Sequence, residues 1–414
     1  MPKSTSVFVV LLFLFAFAIR FGVVMAFRDL ETGPNGGTSD DDVQFEILTR
    51  NLVEGHGYAL HPGKYSSFRA PGFPFALAIL YRTVGDHPTA AYTFFCLLGA
   101  LTCVLTYQLA RELLTETGAR LTGVLNAIYL PHAYFATYYL SENLYIPLIA
   151  FGLWCCVRFA KGGSIGWIVL AGAVLGYATL TRPGTILMLP LIPAAYLVYD
   201  LRSRAFRPVA YAAYCVAFVA VLFPWMWRNH EVHGHWVLVA TNGGSTFWGA
   251  NNDRVLYETK HLGYWLPTTQ LPNRDLVEAA PNEYEHDQVE WKLGKDWVRA
   301  NLSSMPKLVL FKLARMWWLP DYGVGLRWLR IVSYTPFFAL FALYAVRCLW
   351  RSSNWTVSWA ILHASTLVLL ATVVIFFGEP RFRDAQTPVL MIYAVLGLNP
   401  RFIRADADDA ENKV

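Results

Sequence analysis

Ten stretches of this chain are apolar over bilayer-spanning or nearly spanning lengths: about 7–27, 88–110, 119–139, 143–160, 165–181, 184–200, 208–227, 329–349, 355–377 and 386–403. A span takes about 20 such residues. In hydrocarbon every backbone polar group must be satisfied within the protein, so runs of this kind fold as helices. The first run is longer than the apolar core of a signal peptide and lacks a clear small-x-small cleavage site, which predicts a retained helix. Arg20 interrupts it and either snorkels to the interface or faces the interior. Of the 414 residues, 55% are hydrophobic and only 15% charged, against about 25% charged in an ordinary soluble domain. Disordered, coiled-coil, collagen and disulfide-knot classes are thereby excluded. A net charge of +5, scattered along the chain, gives no nucleic-acid footprint. All six cysteines sit in apolar runs, without the spacing of a metal site or of a bridge between loops, and read as small buried hydrophobes.

Residues 72–84 and 307–319 are apolar but short, and are expected to lie in or dip into one leaflet. Arg111 and Arg120, Arg158 and Lys161, Arg202, Arg204 and Arg207, Arg347 and Arg351, and Arg401 and Arg404 fall in alternate loops. With about ten spans, the positive-inside rule then puts both termini in the cytoplasm. Two long segments, about 28–87 and 228–328, lie outside. The expected organisation is an N-terminal transmembrane catalytic module 1–227 containing the first external loop 28–87, a large external loop 228–328 with an interfacial helix, C-terminal transmembrane helices over 329–404 and an acidic cytoplasmic tail 405–414. No internal repeat is visible and charges inside the spans are few, which argues against an ion-coupled pathway.

The first external loop is the richest in chemistry. Phe45, Leu48, Leu52 and Val53 recur at helical spacing, predicting an amphipathic helix over 42–54. Ser39, Asp40 and Asp42 read as helix-start residues favoured by capping and by the dipole. Asp41 can serve there and also act as a general base beside the bilayer. Gly55 and Gly57 stop the helix, Tyr58 follows, and Arg69 precedes a short helix opened by Pro71 and Pro74. Farther on, His230, Glu231, His233 and His235 invite a metal, but the spacing is not that of a zinc helix and no cysteine is near. A divalent metal is therefore possible but not predicted, and no cofactor is assigned. Trp317 and Trp318 suit a bilayer interface. Asn301-Leu302-Ser303 is a glycosylation sequon, a weak signal by itself.

In order along the chain stand Asp41-Asp42-Val43-Gln44-Phe45, Thr49-Arg50-Asn51-Leu52, Gly55-His56-Gly57-Tyr58 and Pro71-Gly72-Phe73-Pro74. Then come Ser141-Glu142-Asn143-Leu144-Tyr145, Thr181-Arg182-Pro183, Pro224-Trp225-Met226-Trp227-Arg228-Asn229, Gly243-Gly244 with Gly249-Ala250-Asn251-Asn252, and Glu379-Pro380-Arg381-Phe382-Arg383. This series resembles the GT-C class of membrane glycosyltransferases, in the branch of the dolichyl-phosphate-mannose protein mannosyltransferases and the lipid A aminoarabinose transferase. Phe45 stands where that pattern more often has Tyr. The resemblance implies an all-α polytopic membrane protein, a GT-C-like bundle of about ten transmembrane helices with two long external loops carrying short juxtamembrane helices. It implies transfer of a sugar from a polyprenyl-phosphate donor to a lipid, glycan or protein acceptor, with inversion, in the plasma (inner) membrane and on its external face. Asp41 would be the base. Glu142 would bind the acceptor, orient an arginine or hold a metal.

The chemistry such a donor requires fits these residue types. Its leaving group is an anionic lipid phosphate, and Arg is permanently charged and bidentate toward phosphate. Arg381 is the first candidate, then Arg182 and Arg69, with Arg228 and Arg383 behind them. Tyr58, Trp248 and Asn251 are candidates for binding sugar or acceptor. A transporter or flippase of a lipid-linked sugar is the competing function, with a non-catalytic scaffold and a glycan polymerase or ligase as further rivals.

Overall fold

The computed structural model describes residues 3–27, 40–61, 63–203, 206–318, 327–347 and 356–404. Ser39, Arg204, Arg351 and the acidic tail 405–414 lie outside them. The helices, in order, are α1 (Lys3–Phe27), α2 (Asp40–Glu54), α3 (Gly72–Val84), α4 (Pro88–Leu113), α5 (Glu116–Ile128), α6 (Leu130–Tyr134), α7 (Glu142–Ala160), α8 (Ile165–Thr181), α9 (Met188–Ser203), α10 (Pro208–His233), α11 (Gly243–Ala250), α12 (Asp253–Tyr257), α13 (Arg274–Glu278), α14 (Glu283–Ala300), α15 (Met305–Met316), α16 (Arg327–Arg347), α17 (Val357–Ile375), α18 (Pro380–Asp384) and α19 (Thr387–Leu398). A short antiparallel hairpin, β1 (Ala59–His61) with β2 (Lys64–Tyr65), follows α2.

Six of the described helices are long and apolar enough to cross a membrane: Thr5–Phe27 of α1, then α4, α7, Pro183–Leu201, α10 and α17. The apolar helices α3, α8, Ile331–Arg347 and α19 are shorter. The protein is an integral membrane protein. Its helices pack through small residues. A Cβ added at Gly172 or Gly176 of α8 would come within 2.4 Å of Tyr214 O and 2.7 Å of Phe218 O of α10. Glycine at this four-residue spacing lets two helix backbones touch where apolar lipid supplies no hydrophobic drive.

The run 119–139 does not form the single span expected of it. It is broken into α5, α6 and a 3₁₀ turn at Phe135–Thr137. Pro131 cannot continue the ladder of α5, and the break leaves carbonyls to be satisfied at depth. Arg20 of α1 supplies donors. It is fully buried and donates from Nη1 to Ala16 O (3.1 Å) and Ala127 O (3.4 Å), and from Nη2 to Cys103 Sγ and His132 Nδ1 (both 3.2 Å). A Cβ at Gly99 would sit 2.4 Å from Arg20 Nε, so Gly99 makes the room. Arg20 thus faces the interior.

Helix ends meet at two poles. At one, Thr115 N donates to Phe402 O (2.8 Å) and Arg404 N to Leu113 O (3.0 Å), tying the close of the chain to the α4–α5 turn. At the other lie α2, the 66–71 loop, the first turn of α7, the end of α8, and α18. The 234–316 region covers this second pole with its own core of Trp248, Val255, Leu256, Leu266, Leu271, Val277 and Leu308. Glu283 of α14 docks it by accepting from Ser66 Oγ and Ser67 N, each at 2.7 Å. Lys312 of α15, 1% exposed, donates to Asn251 Oδ1 (2.9 Å) and to Val374 O (3.3 Å) and Ile375 O (3.4 Å). The last carbonyls of α17 attract a cation, while burial drives the Lys312 ammonium down to about 7.

Replacing Arg20 by Met nearly keeps the volume but takes the side-chain donor from Ala127 O and leaves His132 Nδ1 with Asn126 Oδ1 as its partner. Each buried group left unsatisfied costs about 1–3 kcal/mol. The melting temperature of detergent-solubilised Arg20→Met is expected to fall well below wild type. An unchanged melting temperature would show that the break in 119–139 needs no such donor.

Candidate active site

Glu142 is the first residue of α7 and its carboxylate is completely buried. Three features make an anion tolerable there. The helix start offers unpaired N–H groups and a favourable dipole. Arg182, in the extended residue that ends α8, brings Nη1 to 2.5 Å from Glu142 Oε1. Arg381 of α18 grips the same carboxylate in a fork, with Nε on Oε1 and Nη2 on Oε2 at 2.9 Å. The remaining Arg381 nitrogen reaches Asp41 Oδ2 at 2.8 Å, and Arg69 Nη2 lies 2.7 Å from Asp41 Oδ1. Arg69, Asp41, Arg381, Glu142 and Arg182, in that order, therefore form one continuous network in which guanidinium and carboxylate alternate.

Local sequence explains why each arrives. Asp41 sits in the first turn of α2, whose Phe45 and Leu48 are buried. Gln44, one turn on, accepts from Arg69 Nε at 2.7 Å and so aims Arg69 at Asp41. Pro71 and Gly72 turn the chain from Arg69 into α3. A Cβ at Gly72 would strike Thr181 Oγ1 at 2.5 Å, so only glycine lets the start of α3 lie against the end of α8, one residue before Arg182. Arg182 stacks over Tyr145 and Phe382, 5.6 and 5.2 Å from the ring centres. Pro183 and Pro380 stop and restart helices beside the two arginines.

Burial by itself would raise the Asp41 carboxyl. Arg69 and Arg381 outweigh it and hold Asp41 well below the usual carboxylate range. The carboxylates of Glu142 and Asp41 hold the Arg381 guanidinium fully protonated against its own burial. Exposure is unequal: 25% for Asp41, 18% for Arg69, 20% for Arg182, 17% for Arg381 and none for Glu142. A ligand can reach the arginines and Asp41, whereas Glu142 can act only through the guanidiniums it holds.

Five other expected site residues lie elsewhere. Arg228, expected on a phosphate, donates to Ser66 O (2.9 Å), Ser67 Oγ (2.8 Å) and Tyr58 O (3.1 Å) and stacks on Trp225, clamping the hairpin to α10. Arg383, 1% exposed, donates to Asp384 and to Met316 O (3.1 Å) and lies over Tyr334. Neither guanidinium belongs to the Asp41 network. Tyr58 is buried with its hydroxyl on Arg69 O (3.0 Å), a prop for the loop that bears Arg69. Trp248 fills the core of the covering region. Asn251 spends its amide on Phe247 O, Ile375 O and Lys312. The histidines after α10 also part company: His230 stacks on Trp236, His233 meets Ser67 Oγ at 2.8 Å and His235 stacks on Tyr284.

Sequence reasoning passed over three groups near the network. Gln44 is the aligner of Arg69, and its place three residues after Asp41 on one helix face was the available signal. Tyr264, from the covering region, comes close enough for the charges of Glu379, Arg381 and Asp41 to act on its hydroxyl. Glu379 stands two residues before Arg381.

Residues 68–227 match the family model described as dolichyl-phosphate-mannose-protein mannosyltransferase. That segment includes Arg69, Glu142 and Arg182 but neither Asp41 nor Arg381. No curated protein sequence matches the chain. Among solved structures it is similar to the archaeal oligosaccharyltransferase AglB of Archaeoglobus fulgidus, in complex with an inhibitory peptide and a dolichol-phosphate. The two are 11% identical with a TM-score of 0.54, over 96% of this chain and 51% of that one. The Archaeoglobus fulgidus oligosaccharyltransferase tethered to an acceptor peptide gives 13% and 0.52, over 95% and 49%. ArnT from Cupriavidus metallidurans bound to undecaprenyl phosphate gives 16% and 0.44, over 95% and 76%. The chain spans about half the length of these oligosaccharyltransferases. Helical architecture, family-model match and structural likeness together give the chain the GT-C fold of polytopic membrane glycosyltransferases.

Proposed function

We propose that this protein transfers a sugar from a polyprenyl-phosphate donor to an acceptor hydroxyl at the external face of the plasma (inner) membrane. The observation that carries the proposal is the alternating network of Asp41, Arg69, Arg381, Glu142 and Arg182. It gathers three guanidiniums at one point, and a polyprenyl-phosphate sugar is an anionic phosphodiester that such a cluster can hold. Arg69, Arg182 and Arg381 are the phosphate ligands of this proposal. Preorganised cations aimed where charge develops are the main electrostatic source of catalysis, and a partly dehydrated membrane edge strengthens them.

In the reaction the acceptor oxygen attacks the anomeric carbon, the bond from that carbon to the phosphate oxygen breaks, and polyprenyl phosphate leaves with the electron pair. A single displacement of this kind inverts the anomeric centre. Asp41 is assigned the task of holding Arg69 and Arg381 in register, since both of its oxygens are engaged and its basicity is low. Glu142 orients Arg182 and Arg381. The machinery is not confined to 1–227, because Arg381 comes from the segment before the last apolar helix. The 228–328 region over the pole is where acceptor selectivity is proposed to lie.

The test compares envelope lipids and glycans by mass spectrometry in a deletion strain, the strain restored with wild type, and strains restored with Asp41→Asn or Arg381→Lys at equal expression. One glycoform is expected to vanish on deletion, return with wild type and stay absent with either variant. Full restoration by both variants would refute transfer at this network and favour transport of the lipid-linked sugar.

Binding separates the arginines. Loss of one charge-assisted contact costs about 1.5–3 kcal/mol, or roughly 10–100-fold in affinity. Titration of purified protein with undecaprenyl phosphate is expected to show that loss for Arg381→Lys and Arg69→Lys. Arg228→Lys and Arg383→Lys are expected to lower the melting temperature and leave affinity within about twofold. Equal affinity losses in all four would remove the assignment of the phosphate to this network.

A further inference from the structure

We propose that Glu379 is the general base that takes the acceptor proton; this rests on the transfer reaction above and assigns its remaining role. Glu379 shares the arginine cluster with Asp41 and Glu142, and the surroundings of these carboxylates separate them. Asp41 has one guanidinium on each oxygen. Glu142 is enclosed and held by two arginines. Among the described residues the Glu379 carboxylate has neither a hydrogen bond nor an ion pair, and it is only partly buried. A base must be reachable by the hydroxyl and basic enough to take its proton; the guanidiniums on Asp41 and Glu142 weaken them as bases, and of the three only Glu379 carries no donor among the described residues.

The backbone that carries it is fixed. Gly378 N donates to Gly263 O at 2.9 Å, and a Cβ at Gly378 would fall 1.9 Å from Lys312 O, so α15 is packed directly against the residue before Glu379. Phe377 is wedged against Tyr264 and Phe382, with ring centres 5.8 and 4.8 Å away. Glu379 itself is extended and opens α18, the helix of Arg381. The charged and titratable groups that face it are Arg381 from α18, Glu142 from α7, Asp41 from α2, Arg182 after α8 and Tyr264 from the covering region. Burial, with Glu142 and Asp41 behind it, raises the Glu379 carboxyl above its ordinary value in spite of the two arginines. It is therefore the more basic group, while Asp41 stays ionised through the whole working range.

The step balances. The acceptor O–H bond breaks, its proton passes to Glu379, the new glycosidic C–O bond forms, and the phosphate oxygen keeps the electrons of the bond it loses. With Glu379 ionised the network with its three carboxylates is neutral. Taking up the proton leaves it at +1 at the moment the phosphate passes from a monoanionic diester to a monoester that can carry two negative charges.

The experiment uses full-length protein in deletion-strain membranes, which supply donor and acceptor, and follows formation of the lost glycoform against pH. Wild type is expected to lose activity as pH falls through the Glu379 pKa. Glu379→Gln is expected to bind undecaprenyl phosphate within about twofold of wild type, to form product about 10²–10⁴-fold more slowly, and to lack the acidic limb. Glu379→Asp keeps a carboxylate and is expected to retain part of the rate with the limb displaced. This second variant serves if the first does not fold. Wild-type-like rates and an intact acidic limb in Glu379→Gln would overturn the assignment while leaving transfer standing, and so would a parallel loss of phosphate affinity. Absence of product from wild type itself would instead count against the transfer reaction.

Discussion

The arginine–carboxylate network depends on one buried carboxylate. An unpaired charge at Glu142 would be untenable, since breaking a buried pair costs about 3–5 kcal/mol. Its two partners come from the end of α8 and from α18. Residues 40 and 239 positions away from it in the chain are thus drawn to one point by this buried charge. Arg381 commits two nitrogens to Glu142, which fixes the plane of its guanidinium and leaves a single edge for Asp41. Asp41 then fixes Arg69. Exposure rises along this chain of contacts, from the enclosed Glu142 to the quarter-exposed Asp41.

The unequal exposure bears on how a phosphate would enter. Displacing Glu142 from its two arginines would leave a buried anion stranded. Displacing Asp41 leaves an anion that water can reach, at much smaller cost. A donor phosphate is therefore expected to approach Arg69 and Arg381 from the open, Asp41 end of the network, while Asp41 keeps them in register and the Glu142 fork stays closed. The network holds its cations in place beforehand, a form of preorganisation that keeps reorganisation out of the chemical step.

Much of the fold was legible because bilayer constraints are severe. The apolar runs became helices within a few residues of their expected limits, and the periodicity of Phe45, Leu48 and Leu52 placed α2 correctly. The failure at 119–139 has a physical cause. Hydropathy counts Pro131 and its apolar neighbours as span, while the chain there is irregular and is satisfied by Arg20 from another helix. The Gly172–Gly176 contact was present in the sequence as a spacing and went unused.

In the site, the order of short motifs brought forward Asp41, Arg69, Glu142, Arg182 and Arg381, which the structure gathers into one network. It also brought forward Arg228, Arg383, Tyr58, Trp248 and Asn251, whose polar atoms are spent on backbone carbonyls and props or whose side chains fill cores. Residue type and motif position cannot distinguish a guanidinium offered to a ligand from one consumed by the fold. Arg381 and Arg383 show the reason. They lie two residues apart on one short helix, a spacing that points side chains in different directions. One arginine meets Glu142 while the other turns to Tyr334 and Met316 O. Glu379 escapes that ambiguity because it precedes the helix in extended conformation, so its direction is set by the Gly378 contact and not by helical phase. A charged motif of five residues is thereby divided into an unpaired carboxylate, a guanidinium of the Asp41 network and a structural strut.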